Sequence, residues 1–316
     1  MSLAARQLRS PLSADPLFPG FEVGENTGPD GVTIRYVKAG SGPAVLLLHG
    51  YPQNRAMWAK VAPKLVDNFT VIAADLRGYG ASDKPEPTPD AENYAFRVMA
   101  NDMAALMTAL GHETFHLVGH DRGARVGHRF ALDHPNRLLS LTLMDIIPTI
   151  DVWVNMDTDL SVAYWHWPFL AQPLPFPAAL IGADPDMFFE TCLKGWGKAK
   201  LEDFDPAMLD AYRQAWRDPA MIAASCGDYR AGAMIDYAHD DVQPRAKIAC
   251  PLLVMEGLDG VMGQRFNVIG IWKQEATGPV SHAPMPGGHF FIDLHPEKTL
   301  DALQAFLTDP QRATQA

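Results

Sequence analysis

Cysteine is scarce in this sequence of 316 residues, which contains only Cys192, Cys226 and Cys250. Their spacing fits neither a disulfide framework nor a zinc site, and an odd number of thiols in a chain of this length favours a reducing compartment. We therefore expect a cytoplasmic protein without a metal or other cofactor. Arg6 and Arg9 are not followed by an apolar segment, so no secretory leader is predicted.

Positive charge and long apolar runs are also lacking. Lys and Arg number 26 against 37 Asp and Glu, which gives a net charge of −11, and no basic cluster is visible. These features argue against a nucleic-acid partner. No run approaches the roughly 20 apolar residues that a membrane-spanning helix needs. The expected partner is therefore a small molecule, and an anionic one would need a locally basic site because the overall charge repels it.

A strand, a sharp turn and a helix are predicted to meet around residue 121. The apolar run 115–118 reads as a buried strand, Gly119 and Gly123 bracket Asp121, and a helical pattern follows. This is the setting of a nucleophile elbow, in which small flanking residues allow the backbone to turn tightly and expose one side chain. The alternative is that Asp121 is an ordinary N-cap of the following helix.

The carboxylate at this elbow indicates which reactions it would suit. A serine that displaced a leaving group from an alkyl carbon would become an ether, which water does not readily cleave. An aspartate would become an ester, whose carbonyl a His-activated water can attack. Asp121 therefore favours displacement at saturated carbon, as in halide release or epoxide opening.

Strand and helix patterns alternate through the first 150 residues. A hairpin is predicted over 21–39, and a helix is indicated by Met57, Val61 and Leu65, which lie four residues apart. The other predicted elements are buried strands at 44–48, 70–74 and 138–146 and a helix at 98–110. This alternation predicts an α/β fold with a mostly parallel, doubly wound sheet.

The pattern changes after about residue 149. Strand signals disappear, aromatic residues and prolines become frequent, and helices are predicted at 186–196, 205–216 and 219–234. Strand patterns return at 251–257 and weakly at 282–285, before a closing helix at 296–307. We therefore expect an α/β core at 1–148 and 244–316, with an all-helical cap inserted at 149–243.

Further predicted site residues lie at the ends of other strands. The backbone amides of Tyr51, in a His-Gly-Tyr-Pro turn after the first buried strand, and of Arg122 are candidates for an oxyanion hole. A plain β–α turn is the alternative for the first. His289 follows two glycines late in the chain, in the position of the catalytic base of this fold. Asp145 and Asp259 both follow strands and both qualify as the acid that orients it.

The sequence resembles the haloacetate (fluoroacetate) dehalogenases of the α/β-hydrolase superfamily along nearly its whole length. The resemblance rests on His-Asp-Arg-Gly-Ala-Arg at 120–125, His-Trp at 166–167, Asp-Tyr-Arg-Ala-Gly-Ala at 228–233 and Gly-His-Phe at 288–290. It implies hydrolysis of a haloacetate to glycolate and halide, and similar enzymes are commonly dimers. The roles it implies are nucleophile for Asp121, base for His289, acid for Asp145, carboxylate binding for Arg122 and Arg125, and halide binding for His166, Trp167 and Tyr229.

The side-chain chemistry of these residues agrees with the implied roles. Arg122 and Arg125 lie three apart at a helix start, and guanidinium groups recognise carboxylates with paired hydrogen bonds. His166, Trp167 and Tyr229 carry N–H or O–H donors that suit a departing halide. The alternatives are a structural salt bridge for Arg125 and simple aromatic packing in the cap for Trp167 and Tyr229.

Two other functions share part of this pattern. An epoxide hydrolase would use the same Asp and His with cap tyrosines as acids, and the cap region offers Tyr164, Tyr212, Tyr229 and Tyr237. The pair of arginines argues against it, since a neutral epoxide needs no double cation. A small-molecule receptor on the same fold would be expected to have lost the nucleophile, base or acid. The sequence leaves open the preferred halogen, the substrate size and the oligomeric state.

Overall fold

One sheet of eight strands organises the protein. The computed structural model describes residues 13–311, so the predicted absence of a leader around Arg6 and Arg9 lies outside the described residues. The strands are β1 (Glu22–Thr27), β2 (Thr33–Ala39), β3 (Ala44–Leu48), β4 (Thr70–Ala74), β5 (Phe115–His120), β6 (Leu138–Met144), β7 (Leu252–Met255) and β8 (Val280–His282). Their spatial order is β1-β2-β4-β3-β5-β6-β7-β8. The β1–β2 and β2–β4 pairs are antiparallel and the others are parallel, which confirms the predicted fold class.

Fourteen α-helices are assigned within residues 13–311. They are α1 (Phe96–Ala109), α2 (Arg122–Asp133), α3 (Thr149–Val154), α4 (Thr158–Ala163), α5 (His166–Leu170), α6 (Phe176–Ala183), α7 (Pro185–Gly195), α8 (Pro206–Trp216), α9 (Pro219–Ala231), α10 (Tyr237–Asp240), α11 (Val261–Arg265), α12 (Val268–Gln274), α13 (Phe291–Leu294) and α14 (Pro296–Thr308). A π-helical segment, Gly232–Asp236, joins α9 to α10. Within the described residues, none of these helices combines the length and apolar character needed to cross a bilayer.

The parallel strands bring their carboxyl ends to one edge of the sheet, and this places the loops that matter. β3 and β5 are buried at every residue, as expected for central strands covered on both faces. The loops after β3, β5 and β6 begin at His49, Asp121 and Asp145. Because these strands are direct neighbours, the three loops lie side by side, in the position where α/β sheets hold their ligands.

The chain between β6 and β7 contains helices α3–α10 and no strand. Three of these, α7, α8 and α9 with its π-helical extension, correspond to the predicted helices at 186–196, 205–216 and 219–234. The short helices α3–α6 were not predicted, because one or two turns show too little periodicity to be recognised. The division into core and cap at residues 148 and 243 remains a prediction.

Two elements differ from the sequence-based expectation. The stripe of Met57, Val61 and Leu65 does not form an α-helix but two short 3₁₀ turns, Arg55–Trp58 and Ala62–Lys64. Pro63 explains the difference, because it lacks an N–H donor and disfavours the α conformation in the residue before it. The last strand, expected at 282–285, runs instead from Val280 to His282.

Candidate active site

Asp121 occupies a strained turn between β5 and α2. Its φ of 46° and ψ of −113° lie outside the ordinary regions for an L-residue. The flanking glycines are required by close backbone contacts: a Cβ on Gly123 would lie 2.5 Å from the carbonyl oxygen of His49, and one on Gly119 would lie 2.5 Å from that of Gly123. The geometry is that of the predicted elbow, and it presents a carboxylate that is only 7% exposed.

The two oxygens of Asp121 have different neighbours. Oδ1 accepts a hydrogen bond of 2.8 Å from the backbone amide of Tyr51. Oδ2 lies 3.9 Å from Nε2 of His289. A Cβ on Gly50 would come within 2.5 Å of the Asp121 Cβ, so this close approach of the loop after β3 depends on glycine. The amide of Tyr51 is therefore in contact with the carboxylate, and the amide of Arg122 stands at the first residue of α2.

His289 faces Asp121 on one side and Asp145 on the other. Its Nδ1 lies 2.5 Å from Oδ2 of Asp145, whose Oδ1 accepts a 2.9 Å hydrogen bond from the amide of Gly257. Burial lowers the pKa of His289, but the bond to Asp145 and the charges of that residue and Asp121 outweigh it, so the pKa is raised above its ordinary value. Asp259, the other candidate acid, instead forms a 2.7 Å ion pair with Lys198 at the surface.

Arg125 is buried beside Asp121, and part of its guanidinium is free. Its Nη1 donates to the carbonyl of Ile147 at 3.1 Å and to Oγ1 of Thr149 at 3.0 Å. Its Nε is buried and has no hydrogen-bond partner within residues 13–311. Burial lowers the pKa of Arg125 to about 10, which still leaves it charged at neutral pH. Its Cζ lies 4.7 Å from the centre of the Trp167 ring.

Arg122 has quite different surroundings, although it was predicted to share the pocket with Arg125. Its Nε donates to Oδ2 of Asp228 at 2.8 Å, and its Nη2 contacts the other carboxylate oxygen and donates to the Asp228 carbonyl at 2.9 Å. Its Cζ lies 4.5 Å from the ring centre of Phe96 and 4.3 Å from that of Tyr229. Arg122 is therefore held by a buried counter-ion, and the sequence reasoning gave Asp228 no role.

A small cavity lies between the loops after β5, β6 and β8 on one side and the helical segment between β6 and β7 on the other. Its volume is about 10 Å³, which gives room for about one water. The described side chains that line it are Asp121, Arg125, Asp145, Tyr164, His166, Trp167, Trp196 and His289. Of the two predicted carboxylate binders it thus includes Arg125 but not Arg122.

Aromatic rings form the cap side of this cavity. The ring centre of Tyr229 lies 5.6 Å from that of His166 and 6.0 Å from that of Trp167, so the three predicted halide binders form one cluster. His166 and Trp167 line the cavity, and Tyr229 does not. Trp196 was not among the predicted site residues. Its ring centre lies 4.2 Å from that of His166, and its buried Nε1 has no hydrogen-bond partner in the described part of the chain. Burial lowers the pKa of His166 well below its ordinary value, so its ring is neutral.

The charges around Asp121 keep it ionised. Burial alone would raise the pKa of its carboxyl, but His289, His120 and the two nearby arginines outweigh burial and lower that pKa to about 2. The site therefore combines a charged carboxylate, a partly free cation and a His–Asp pair. That set can displace a leaving group and then hydrolyse the resulting ester. No group of three His, Cys, Asp or Glu side chains within residues 13–311 is arranged to hold a metal ion.

The chain is similar to known hydrolases in both sequence and structure. A family model for the alpha/beta hydrolase fold matches residues 43–296. The chain is 51% identical over 298 residues to a fluoroacetate dehalogenase from Burkholderia sp., covering 93% of this chain and 96% of that protein. A solved structure from Nostoc sp. PCC 7120, whose name assigns it to the α/β hydrolases, is 46% identical with a TM-score of 0.89, covering 92% and 99% of the two chains. A soluble epoxide hydrolase from Corynebacterium sp. strain C12 is 28% identical over 279 residues, covering 88% and 94%.

Proposed function

The chain belongs to the α/β-hydrolase family, and from that premise we propose that it is a haloacetate dehalogenase, which converts fluoroacetate or chloroacetate to glycolate and halide. The observation that carries this proposal is the buried, ionised Asp121 between a His–Asp pair and the partly free guanidinium of Arg125. The 51% identity to the Burkholderia fluoroacetate dehalogenase supports the same reaction class. The cavity has room for about one water, so side chains would have to move to admit even a two-carbon acid.

The first step of the proposed reaction is displacement of the halide. Oδ1 of Asp121 is already engaged by the Tyr51 amide, so the attacking atom is Oδ2. This oxygen forms a bond to the carbon that bears the halogen, and the halide leaves with the electron pair of the broken bond. Arg125, which lines the cavity, would hold the substrate carboxylate, while Arg122, engaged by Asp228, would act through its charge alone. The donors of His166, Trp167 and Tyr229 would stabilise the charge that develops on the halogen.

The second step is hydrolysis of the Asp121 ester. Oδ1 becomes the ester carbonyl oxygen and already lies against the Tyr51 amide, which with the Arg122 amide would stabilise the oxyanion. Nε2 of His289 takes a proton from the attacking water, and Asp145 stabilises the imidazolium that forms. As the tetrahedral intermediate collapses, the bond between the Asp121 carbonyl carbon and the glycolyl oxygen breaks, and that oxygen takes the proton back from the imidazolium of His289. Glycolate leaves, and the Asp121 carboxyl loses the remaining proton of the water to become a carboxylate again.

An epoxide hydrolase is the second candidate, because relatives with that activity share the fold and Tyr164 lines the cavity. One contact and one chemical argument weigh against it. The hydroxyl of Tyr212 donates to Asp293 at 2.7 Å and so is already engaged, and a neutral epoxide offers nothing for Arg125 to bind. A receptor without catalytic activity is disfavoured because Asp121, His289 and Asp145 all occupy a working geometry.

Single-turnover reaction in heavy-oxygen water tests the ester mechanism. With enzyme in excess over chloroacetate, we expect the label to enter the peptide that contains Asp121, because water attacks the carbonyl of that side chain. Label found only in glycolate would contradict the proposal, since it would mean direct attack by water on the substrate. Halide-electrode traces with fluoroacetate, chloroacetate and larger haloacids, beside product assays with a styrene-type epoxide, separate the two candidate functions.

We also propose that the enzyme acts as a homodimer in the cytoplasm. The exposed apolar side chains of Phe176 and Leu180 on α6 suit a subunit contact, and all three cysteines are free and buried, as expected for a reduced protein. Light scattering coupled to gel filtration would measure the mass in solution. A monomer at micromolar concentration would contradict the dimer.

A further inference from the structure

Arg122 and Arg125 lie near the buried carboxylate of Asp121, where an ion pair with it would interfere with its proposed attack. If either guanidinium formed an ion pair with Asp121, its charge would be neutralised and the lone pairs of its carboxylate oxygens would be engaged in hydrogen bonds. Asp121 would then be a weaker nucleophile. Yet within the described residues no ion pair shorter than 4 Å joins Asp121 to Arg122 or Arg125. Arg122 is even the next residue in the chain, so something must hold its side chain elsewhere.

For Arg122 that partner is Asp228, on helix α9 of the cap region. The carboxylate of Asp228 accepts hydrogen bonds from Nε and Nη2 of the guanidinium, and the backbone carbonyl of Asp228 accepts another from Nη2. The hydroxyl of Tyr79 donates a third side-chain contact to Asp228 at 2.6 Å. Asp228 is fully buried and Arg122 is 1% exposed, so water cannot substitute for either partner.

We propose that Asp228 is a positioning residue: it occupies the Nε/Nη2 edge of Arg122, keeps that cation from pairing with Asp121, and so leaves the nucleophile free to attack. Arg122 then stabilises the negative charge of Asp121 across space while it remains directed away from the reacting oxygen. The same contact fixes Tyr229, because the Arg122 guanidinium lies 4.3 Å from the centre of that ring. The proposal deepens the dehalogenase function and rests on it for its kinetic consequences.

A purely structural role, in which Asp228 only ties the cap to the core, makes different predictions. Gly232 distinguishes the two roles, because it has ordinary helical angles (φ −56°, ψ −39°) and a Cβ there would lie 3.3 Å from Nη2 of Arg122. Gly232→Ala should press on the guanidinium without removing any bond between cap and core. Since alanine is the better helix former, the variant should melt at the parent temperature or higher. Slower halide release despite unchanged stability would then reflect the position of Arg122.

The experiment compares Asp228→Asn with the double variant Arg122→Gln/Asp228→Asn in single-turnover halide release from chloroacetate. Asp236→Asn is the matched control, because Asp236 is also buried on this segment and bonds the Phe96 amide, a contact that asparagine can keep. We expect Asp228→Asn to release halide roughly 10²-fold more slowly than the parent enzyme. The double variant should be several-fold faster than Asp228→Asn, because it removes the cation that blocks Asp121, and Asp236→Asn should match the parent.

Crystal structures of the substrate-free variants supply a readout that does not depend on the reaction. In Asp228→Asn we expect a guanidinium nitrogen of Arg122 within about 4 Å of an Asp121 carboxylate oxygen. Parent-like halide release by Asp228→Asn, a double variant slower than it, or an Arg122 that stays away from Asp121 would each overturn the proposal. If Asp228→Asn does not fold, an unchanged rate in Gly232→Ala overturns it. A parent enzyme that releases no halide would contradict the dehalogenase function alone, because the structural readout would still stand.

Discussion

Replacing Asp145 with asparagine should stop the reaction halfway. Oδ1 of Asp145 accepts the hydrogen bond from the Gly257 amide, so the asparagine oxygen will keep that place and its NH₂ group will face His289. An NH₂ donor forces Nδ1 of His289 to be the unprotonated nitrogen and puts the ring proton on Nε2. His289 then cannot take a proton from water, and the ester on Asp121 should persist.

The magnitude follows from the tautomer. In a triad whose acid becomes asparagine, the wrong tautomer lowers kcat by about 10⁴-fold, which corresponds to about 5 kcal/mol of activation free energy. Displacement of the halide does not use His289 as a base, so this loss should fall on ester hydrolysis alone. We therefore expect a burst of one halide per active site, followed by near-complete arrest.

Rapid mixing with a halide-sensitive readout would measure the burst, and mass spectrometry of the intact protein would detect the added glycolyl group. Asp259→Asn is the control, because the carboxylate of Asp259 pairs with Lys198 at the surface and not with His289. It should turn over at nearly the parent rate. A stalled Asp259→Asn beside an active Asp145→Asn would refute the reasoning, as would an Asp145→Asn variant that shows no burst.

Three further predictions concern charge, pH and the elbow. Arg125→Gln should weaken transition-state binding by about 2–5 kcal/mol, and chloroacetamide should be a far poorer parent substrate than chloroacetate; equal kcat/KM for the acid and the amide would show that Arg125 is structural. The pKa of His289 is raised above 6.5, and His289 must be neutral to act as a base. Steady-state turnover should therefore fall as the pH drops through a value above 6.5, while the halide burst persists. A turnover that stays flat down to pH 5 would contradict this. Gly123→Ala should prevent correct folding, seen as lost soluble yield or a lowered Tm, because its Cβ would lie 2.5 Å from the His49 carbonyl oxygen; a parent-like Tm would show that the elbow can relax.

Much of the core could be predicted because its signals are local. The apolar residues of β3 and the glycines around Asp121 identify a buried strand and a tight turn from a few neighbouring positions. The predicted helix near Met57 was wrong because Pro63 outweighs the periodicity there. The short cap helices α3–α6 have no comparable local signal, since packing stabilises them more than their own sequence does.

The sequence allowed the site residues to be predicted from their positions after strands, but not which of them are in contact. Asp145 and Asp259 both follow strands, and only the packing of the loops after β6 and β8 brings Asp145 to His289. The Arg122–Asp228 contact joins residues 106 positions apart, and a buried ion pair leaves no periodic pattern in the sequence. Trp196 reaches the cavity in the same way, through the fold of the cap.

The Arg122–Asp228 contact also limits how the gene could exchange parts with those of its relatives. A chimaera that combined this core with a cap lacking a carboxylate at the position of Asp228 would bury the Arg122 charge without a counter-ion, at a cost of about 3–5 kcal/mol. That is a large share of the 5–15 kcal/mol by which a typical domain is stable. We therefore expect a chimaera joined at the cap boundaries to fold well only when Arg122 and Asp228 are both kept or both replaced.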